Sequence, residues 1–182
     1  MNQGNLSLSV KIVVYKKIVE GDLSKFTATS NITPTGGGAR DLRFSPASEF
    51  FPIFQRMFPR DGSVLKGSFF WTNGSITTTT EVEIHPPTNA RPNEVRIGRI
   101  HECFPANVIP RDASDCILLI VMDASGKVCP YFTTQRSLIQ DNWHPAIKQP
   151  ILAGLNAHRS AKTTAMGYVD IENGRNFTNG QV

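Results

Sequence analysis

Cysteine is scarce in this sequence, and what there is does not pair. Cys103, Cys116 and Cys129 make an odd count with no CxxC motif. That argues against a secreted disulfide framework and against a zinc site, and leaves buried free thiols in a reducing cytoplasm. Met1 opens onto polar residues, and no apolar run reaches the length of a signal peptide or a membrane span. The chain is therefore expected in the cytoplasm, with no membrane partner. Charge is sparse as well: 19% of residues are charged against 40% hydrophobic, the balance of a soluble globular protein rather than a disordered one. The 182 residues suffice for one ordinary domain with a real core.

Catalytic signatures are also missing. A nuclease needs clustered carboxylates, usually with a lysine, to hold a divalent metal and activate water. The nearest approach is Asp115 with Asp123 and Lys127, but the last two flank Ala124-Ser125-Gly126 and are explained by turn chemistry. His144 and Lys148 are separated by Pro145, and His85, His101 and His158 do not approach a metal-binding spacing. There is no GxSxG elbow and no GxxxxGK[ST] loop. The expectation is a chain that binds something without transforming it, with no cofactor and no metal.

What is present begins with arginine placement. Lys and Arg number 19 against 15 Asp and Glu, a net charge of +4 and a pI near 9.1. So mild an excess suits a polyanion only if the cations are grouped. Two stretches group them. Gly36-Gly37-Gly38 is followed by Ala39-Arg40-Asp41-Leu42-Arg43; consecutive glycines allow close backbone approach and an anion-binding nest, or simply a flexible turn. The second stretch, Glu83 to Ile100, enters as a strand, makes an excursion stiffened by Pro86, Pro87 and Pro92, and exits with Val95, Ile97 and Ile100 apolar while Arg96 and Arg99 are charged. Prolines cannot donate ladder bonds, so the excursion should project from a sheet rather than lie in it. A rigid projection bearing Asn, Glu and Arg suits base-edge reading, although a surface hairpin with solvated charges fits the same pattern.

Around these, β-branched Val10 to Val19 reads as a strand ended by a turn at Glu20-Gly21-Asp22. Pro52 should start a short helix running to Phe58, with Phe54, Met57 and Phe58 on its buried face. Gly67 to Thr72 and Ser75 to Ile84 should pair across Asn73-Gly74. The apolar run Cys116 to Met122 should be a central strand, turning back into Lys127 to Thr134. Short helices are expected over Arg136 to Leu155, broken by Pro150, and residues 156–182 should form a polar extension or linker with one short strand near Met166 to Ile171.

An ordered series ties these parts together: Thr35-Gly36-Gly37 then Leu42-Arg43-Phe44-Ser45-Pro46, the helix ending Met57-Phe58-Pro59, the arm Asn93-Glu94-Val95-Arg96-Ile97-Gly98-Arg99, and the strand Ile117 to Asp123 with its partner. From about Val13 to Thr134, this series resembles the amino-terminal effector domain of EcoRII-type restriction endonucleases, related in fold to plant auxin-response and abscisic-acid-response factor domains. The resemblance implies a mainly β fold with short helices, a seven-stranded open DNA-binding pseudobarrel capped by helices. It would occupy residues 1–155, with two arms gripping double-stranded DNA in the major groove. Carried onto this chain, the first arm is Thr35 to Arg43, with Thr35, Gly36, Gly37, Arg40 and Arg43. The second is Thr88 to Arg99, with Asn89, Arg91, Asn93, Glu94, Arg96 and Arg99. Asn93, Glu94 and Arg96 match base-facing positions, Arg96 toward guanine and Glu94 toward a cytosine amino group. Val95 replaces a lysine of that enzyme, Pro92 stiffens the arm, and Gly38-Ala39 replaces a His-Gln pair, so a different target, or a modified cytosine, is implied. The implied role is target recognition in a restriction-type system, beside a nuclease domain or subunit. A metal-dependent nuclease with an unrecognised site and an interaction barrel for an acidic protein are the alternatives.

Overall fold

The computed structural model describes residues 9–27, 40–160 and 162–180, and its contacts group the chain into two compact units, Met1–Ile18 with Ser114–Val182, and Val19–Ala113. The mainly β class with short helices is as expected. Ten strands stand among the described residues where seven were expected. Four of the ten are only two to four residues long, too short to leave a periodic signal in the sequence.

The first unit contains β1 (Val10–Lys17), β7 (Cys116–Asp123), β8 (Val128–Thr134), β9 (Met166–Asp170) and β10 (Arg175–Thr178), antiparallel in the order β10-β9-β1-β7-β8. β7 is the expected central strand, buried from Cys116 to Met122. Asp123 closes the β7–β8 turn by accepting from the N–H groups of Ser125 (2.8 Å) and Lys127 (3.0 Å), the turn role read for it in the sequence. The strand expected near Met166 to Ile171 is present as β9, but it is buried throughout and lies between β1 and β10, so this stretch belongs to the sheet rather than to a polar tail. β10 escaped notice because Arg175 and Asn176 are exposed on an edge strand.

Two helices pack in this unit, α4 (Gln135–Gln140) and α5 (Pro145–Ala157). Pro150 does not break α5. The cost of about 3 kcal/mol for an internal proline is offset by burial of Ile147, Ile151 and Gly154 along one face. The N-terminus of α5 is capped by His144, whose Nδ1 accepts from the Ala146 N–H at 3.2 Å. Gly154 and Gly167 both border the buried Tyr15–Thr178 hydroxyl pair, with no room for a Cβ. Burial pushes the Tyr15 hydroxyl up to about 12.

The second unit carries α1 (Glu20–Phe26), β2 (Leu42–Phe44), α2 (Ala47–Met57), β3 (Arg60–Asp61), β4 (Val64–Asn73), β5 (Ile76–His85), β6 (Val95–Ile97) and α3 (Ile100–Cys103). Its sheet order is β4-β5-β6-β2, with β3 on β4. The turn expected at Glu20 is instead the start of α1, which buries Leu23 and Phe26. α2 begins five residues earlier than expected, directly after Pro46, and tolerates Pro52 inside it. The β4–β5 hairpin turns on Gly74-Ser75, one residue later than expected, with Gly74 at φ +62°. Ile100 leaves the strand pattern to open α3. Phe44, Phe54, Phe58, Phe69, Phe104 and Phe26 form a continuous train of ring contacts, centroids 4.9–6.5 Å apart. That train anchors β2 and α2 to the β4–β5 hairpin. Cys103, Cys116 and Cys129 are free, the first two buried. No helix among the described residues is long and apolar enough to cross a membrane.

In an exposed helix, alanine at a glycine position gains up to about 1 kcal/mol. In α5 the opposite sign is expected for Gly154→Ala, a loss of about 1–3 kcal/mol, because the new methyl would enter the space of the Tyr15 and Thr178 hydroxyls. Chemical denaturation of both proteins measures the sign, and a stabilised variant would contradict this packing.

Candidate nucleic-acid interface

Hydrophobic alternation aims the site. Leu42 and Phe44 of β2 and Val95 and Ile97 of β6 are buried, so Arg43 and Arg96 between them must stand on the opposite face. The register places Arg43 directly across from Arg96, and Arg96 directly across from His85 of β5. Three basic side chains thus stand abreast on adjacent strands. The two arginines so placed repel, and each of the three side chains has an acid beside it. Arg96 donates through NH1 to Asp41 Oδ2 at 2.9 Å, Arg43 NH1 lies 3.6 Å from Glu94 Oε1, and His85 Nε2 lies 3.9 Å from Glu83 Oε2.

The pairs differ in depth. The Arg43 side chain is 44% exposed, whereas Arg96 and Asp41 are 14% and 9% exposed. Asp41 Oδ1 also accepts from the backbone N–H of Arg99 at 3.4 Å. Arg99 sits in the left-handed region at φ 45°, ψ 50°, a conformation costly for a residue with a Cβ. The Ile100 N–H donates to the Arg40 carbonyl at 3.0 Å. The base of the first arm is therefore laced to the end of the second. Arg99 itself is 64% exposed and within 4.0 Å of Glu83 and 3.3 Å of Glu102.

Between β5 and β6 the chain makes the expected excursion outside the strands. Thr88 and Arg91 exchange backbone hydrogen bonds of 2.9 and 3.2 Å around Asn89-Ala90, forming a small hairpin of its own. Thr88, Asn89, Ala90, Pro92 and Asn93 are exposed. Asn93 is tied down by its carbonyl, which accepts from the Ala47 N–H at the start of α2 (3.1 Å). Four buried side-chain polar atoms among the described residues lack a hydrogen-bond partner: Arg91 NH1, Glu94 Oε2, Arg96 Nε and His101 Nδ1. Three of them belong to the short segment from Arg91 to Arg96.

Sequence expectation and structure can be compared residue by residue. Arg40, Arg43, Arg96 and Arg99 are brought together at the arm bases; Asn89, Arg91 and Asn93 are carried on the projecting hairpin. Thr35, Gly36 and Gly37 lie outside the described residues. Arg96, read as a guanine contact, has its guanidinium engaged by a buried carboxylate, and Glu94, read as a cytosine contact, is half-buried beside Arg43. Of the acids beside these side chains, Asp41, Glu83 and Glu102 went unassigned in the sequence. Their interleaving with the arginines was the available signal.

Gly98 has a steric role, since a Cβ there would collide with the His85 imidazole. His101 is pushed below its usual range, chiefly by burial and next by the charge of Arg40, with Glu102 opposing. Burial raises the Cys103 thiol to about 12, so it is inert as a nucleophile at neutral pH.

Two outcomes follow for stability. Arg96→Ala strands Asp41 without its cation and should cost about 3–5 kcal/mol, with Asp41→Asn added to it recovering part of that loss in chemical denaturation. The lowered His101 gives a pH dependence. Below its ordinary value of 6.5 the unfolded chain takes up a proton that the folded chain resists, so stability present at higher pH is lost as pH falls. Thermal melts from about pH 7 to about pH 5 should fall more steeply for the natural protein than for His101→Gln; parallel curves would contradict the assignment. Compared with protein-family models, curated proteins and solved structures, this chain matches none.

Proposed function

We propose that this chain recognises double-stranded DNA, presenting the Thr88–Asn93 hairpin to the major groove while Arg40, Arg43 and Arg99 at the arm bases meet phosphates. The observation that carries the reading is the run of unpartnered buried polar atoms on Arg91, Glu94 and Arg96, within and just after the exposed hairpin. Buried polar groups are ordinarily hydrogen-bonded, and side chains left without partners along an exposed hairpin are ones that a polar ligand would complete once they turn outward. Asn89 and Asn93, both exposed, offer side-chain amides with the donor and acceptor pair that matches adenine. Arg91 supplies a cation within the same hairpin.

The setting proposed is the cytoplasm, in a restriction-type system where this chain reads the target and a nuclease domain or subunit cuts. The first arm, Thr35 to Arg43, would contribute from the other stretch. Arg96 is reassigned from base reader to positioning residue, because its guanidinium is committed to Asp41. The interleaved acids limit how many phosphates the face can neutralise. Charge alone would make a weak binder here, so base-edge contacts must supply much of the preference.

Fluorescence anisotropy with a duplex chosen by binding-site selection tests the reading. With about two or three phosphates engaged, log affinity should fall with log salt at a slope of about −2 to −3. Asn93→Ala should cost about 1–3 kcal/mol on the selected duplex and little on a scrambled one. Equal affinity for both duplexes in the unaltered protein would overturn the proposal.

A further inference from the structure

Arg96 already has an anion. The carboxylate of Asp41, itself nearly buried, holds one terminal nitrogen of the guanidinium at 2.9 Å and leaves Nε buried and unpartnered. A guanidinium offers five donors in a planar fork suited to a bidentate oxyanion, and here the fork is met through NH1 at the edge of a face carrying Arg43, His85 and Arg99. The ionisable groups around it are Arg43 and Glu94 on one side, His85 and Glu83 on the other, and Arg99 beyond.

We propose that Asp41 is an internal competitor for phosphate at Arg96: it keeps this cation inside the face and thereby restrains sequence-independent attraction to DNA. This rests on the DNA reading and adds to it a determinant of specificity. Asp41 has two duties that can be separated chemically. Its Oδ2 neutralises Arg96, while its Oδ1 receives the Arg99 N–H and supports the left-handed turn at the end of the arm. Asparagine keeps one acceptor for the backbone N–H but removes the negative charge, so the arm stays anchored and Arg96 becomes available to an outside anion. Specificity is a difference of affinities. A device that withholds one cation lowers binding to every sequence and sharpens the contribution of the base-facing amides.

The experiment measures duplex affinity across about 50 to 200 mM salt for the natural protein, Asp41→Asn, Arg96→Gln and the double variant, with thermal melts to confirm folding. One more engaged phosphate steepens the log–log slope by about 0.9. Asp41→Asn is therefore expected to show that increase, a several-fold gain on scrambled duplex and a reduced ratio of selected to scrambled affinity. The double variant should return to the natural slope, and Asp41→Glu should retain it. An unchanged slope in Asp41→Asn, or a steep slope that persists in the double variant, overturns the proposal. Should Asp41→Asn fail to fold, Asp41→Ser takes its place; failure of both overturns the proposal too, since Asp41 would then be structural alone. Elution from immobilised heparin separates this inference from the one beneath it. If the natural protein shows no duplex binding, the functional reading fails, yet later elution of Asp41→Asn that Arg96→Gln abolishes still establishes Asp41 as the competitor at Arg96.

Discussion

Two arginines and a histidine forced side by side are the constraint around which the second unit is arranged. Burial of Leu42, Phe44, Val95, Ile97 and Ile84 on one face of β2, β6 and β5 leaves Arg43, Arg96 and His85 no choice but the other. A one-residue slip would exchange the two sets, so the hydrophobic core itself dictates the row. Left alone, Arg43 and Arg96 would push their strands apart. Asp41, Glu94 and Glu83 counter that repulsion at graded depth, from the nearly buried Asp41–Arg96 pair to the open Arg43–Glu94 pair. Surface pairs of the latter kind contribute little on their own. The deep pair is different, because removing the Arg96 guanidinium strands the Asp41 carboxylate in a medium that solvates it poorly.

The aromatic train explains why so short a pairing as β2 with β6 holds. Three residues a side is marginal for a strand pair, but Phe44 is fully buried and touches Phe50 and Phe54 of α2, and through Phe58 the contacts continue to Phe69 on β4. α2 in turn receives the Asn93 carbonyl at its first residue. The far end of the arm is therefore fixed to a helix that is itself fixed to the longest hairpin of the unit. Proline at positions 86, 87 and 92 removes backbone freedom from the remainder. Little conformational entropy is left to lose when such an arm meets a ligand.

Much of this was legible from local pattern. The unbroken apolar run of β7, the turn signal of the β4–β5 hairpin and the alternation of β6 are strong enough to place them, and Val82 and Ile84 are buried as a period of two requires, though Ile76 on the same face is 66% exposed near the hairpin tip. What failed was context. α1 hides behind a turn-like Glu20-Gly21-Asp22 because its helix is stabilised by Leu23 and Phe26 packing rather than by propensity. Pro52 and Pro150 look like helix breakers and are overridden by buried faces. The unit containing β1 is discontinuous, leaving at Ile18 and resuming at Ser114, and no shift in composition marks either point. The pairing of Asp41 with Arg96 spans 55 positions. No window of local sequence contains it, which is why Arg96 could be read as a free guanidinium.

That pairing bears on how arginine-rich arms should be judged. An arginine in an exposed-face position of a short strand looks available in sequence, but availability depends on which acids the fold delivers to the same face. Here the acids arrive from three directions: from the residue before β2, from the arm itself, and from β5. The consequence is a face whose formal charges nearly cancel while its hydrogen-bonding capacity does not, as the orphaned atoms of Arg91, Glu94 and Arg96 show. Coulombic attraction at a distance is then weak and readily screened, whereas contacts made at hydrogen-bond range keep their full directional worth. Geometry of this kind favours discrimination over raw affinity, and under the proposed DNA reading it would shift the weight of recognition from the arginines to the exposed amides of Asn89 and Asn93.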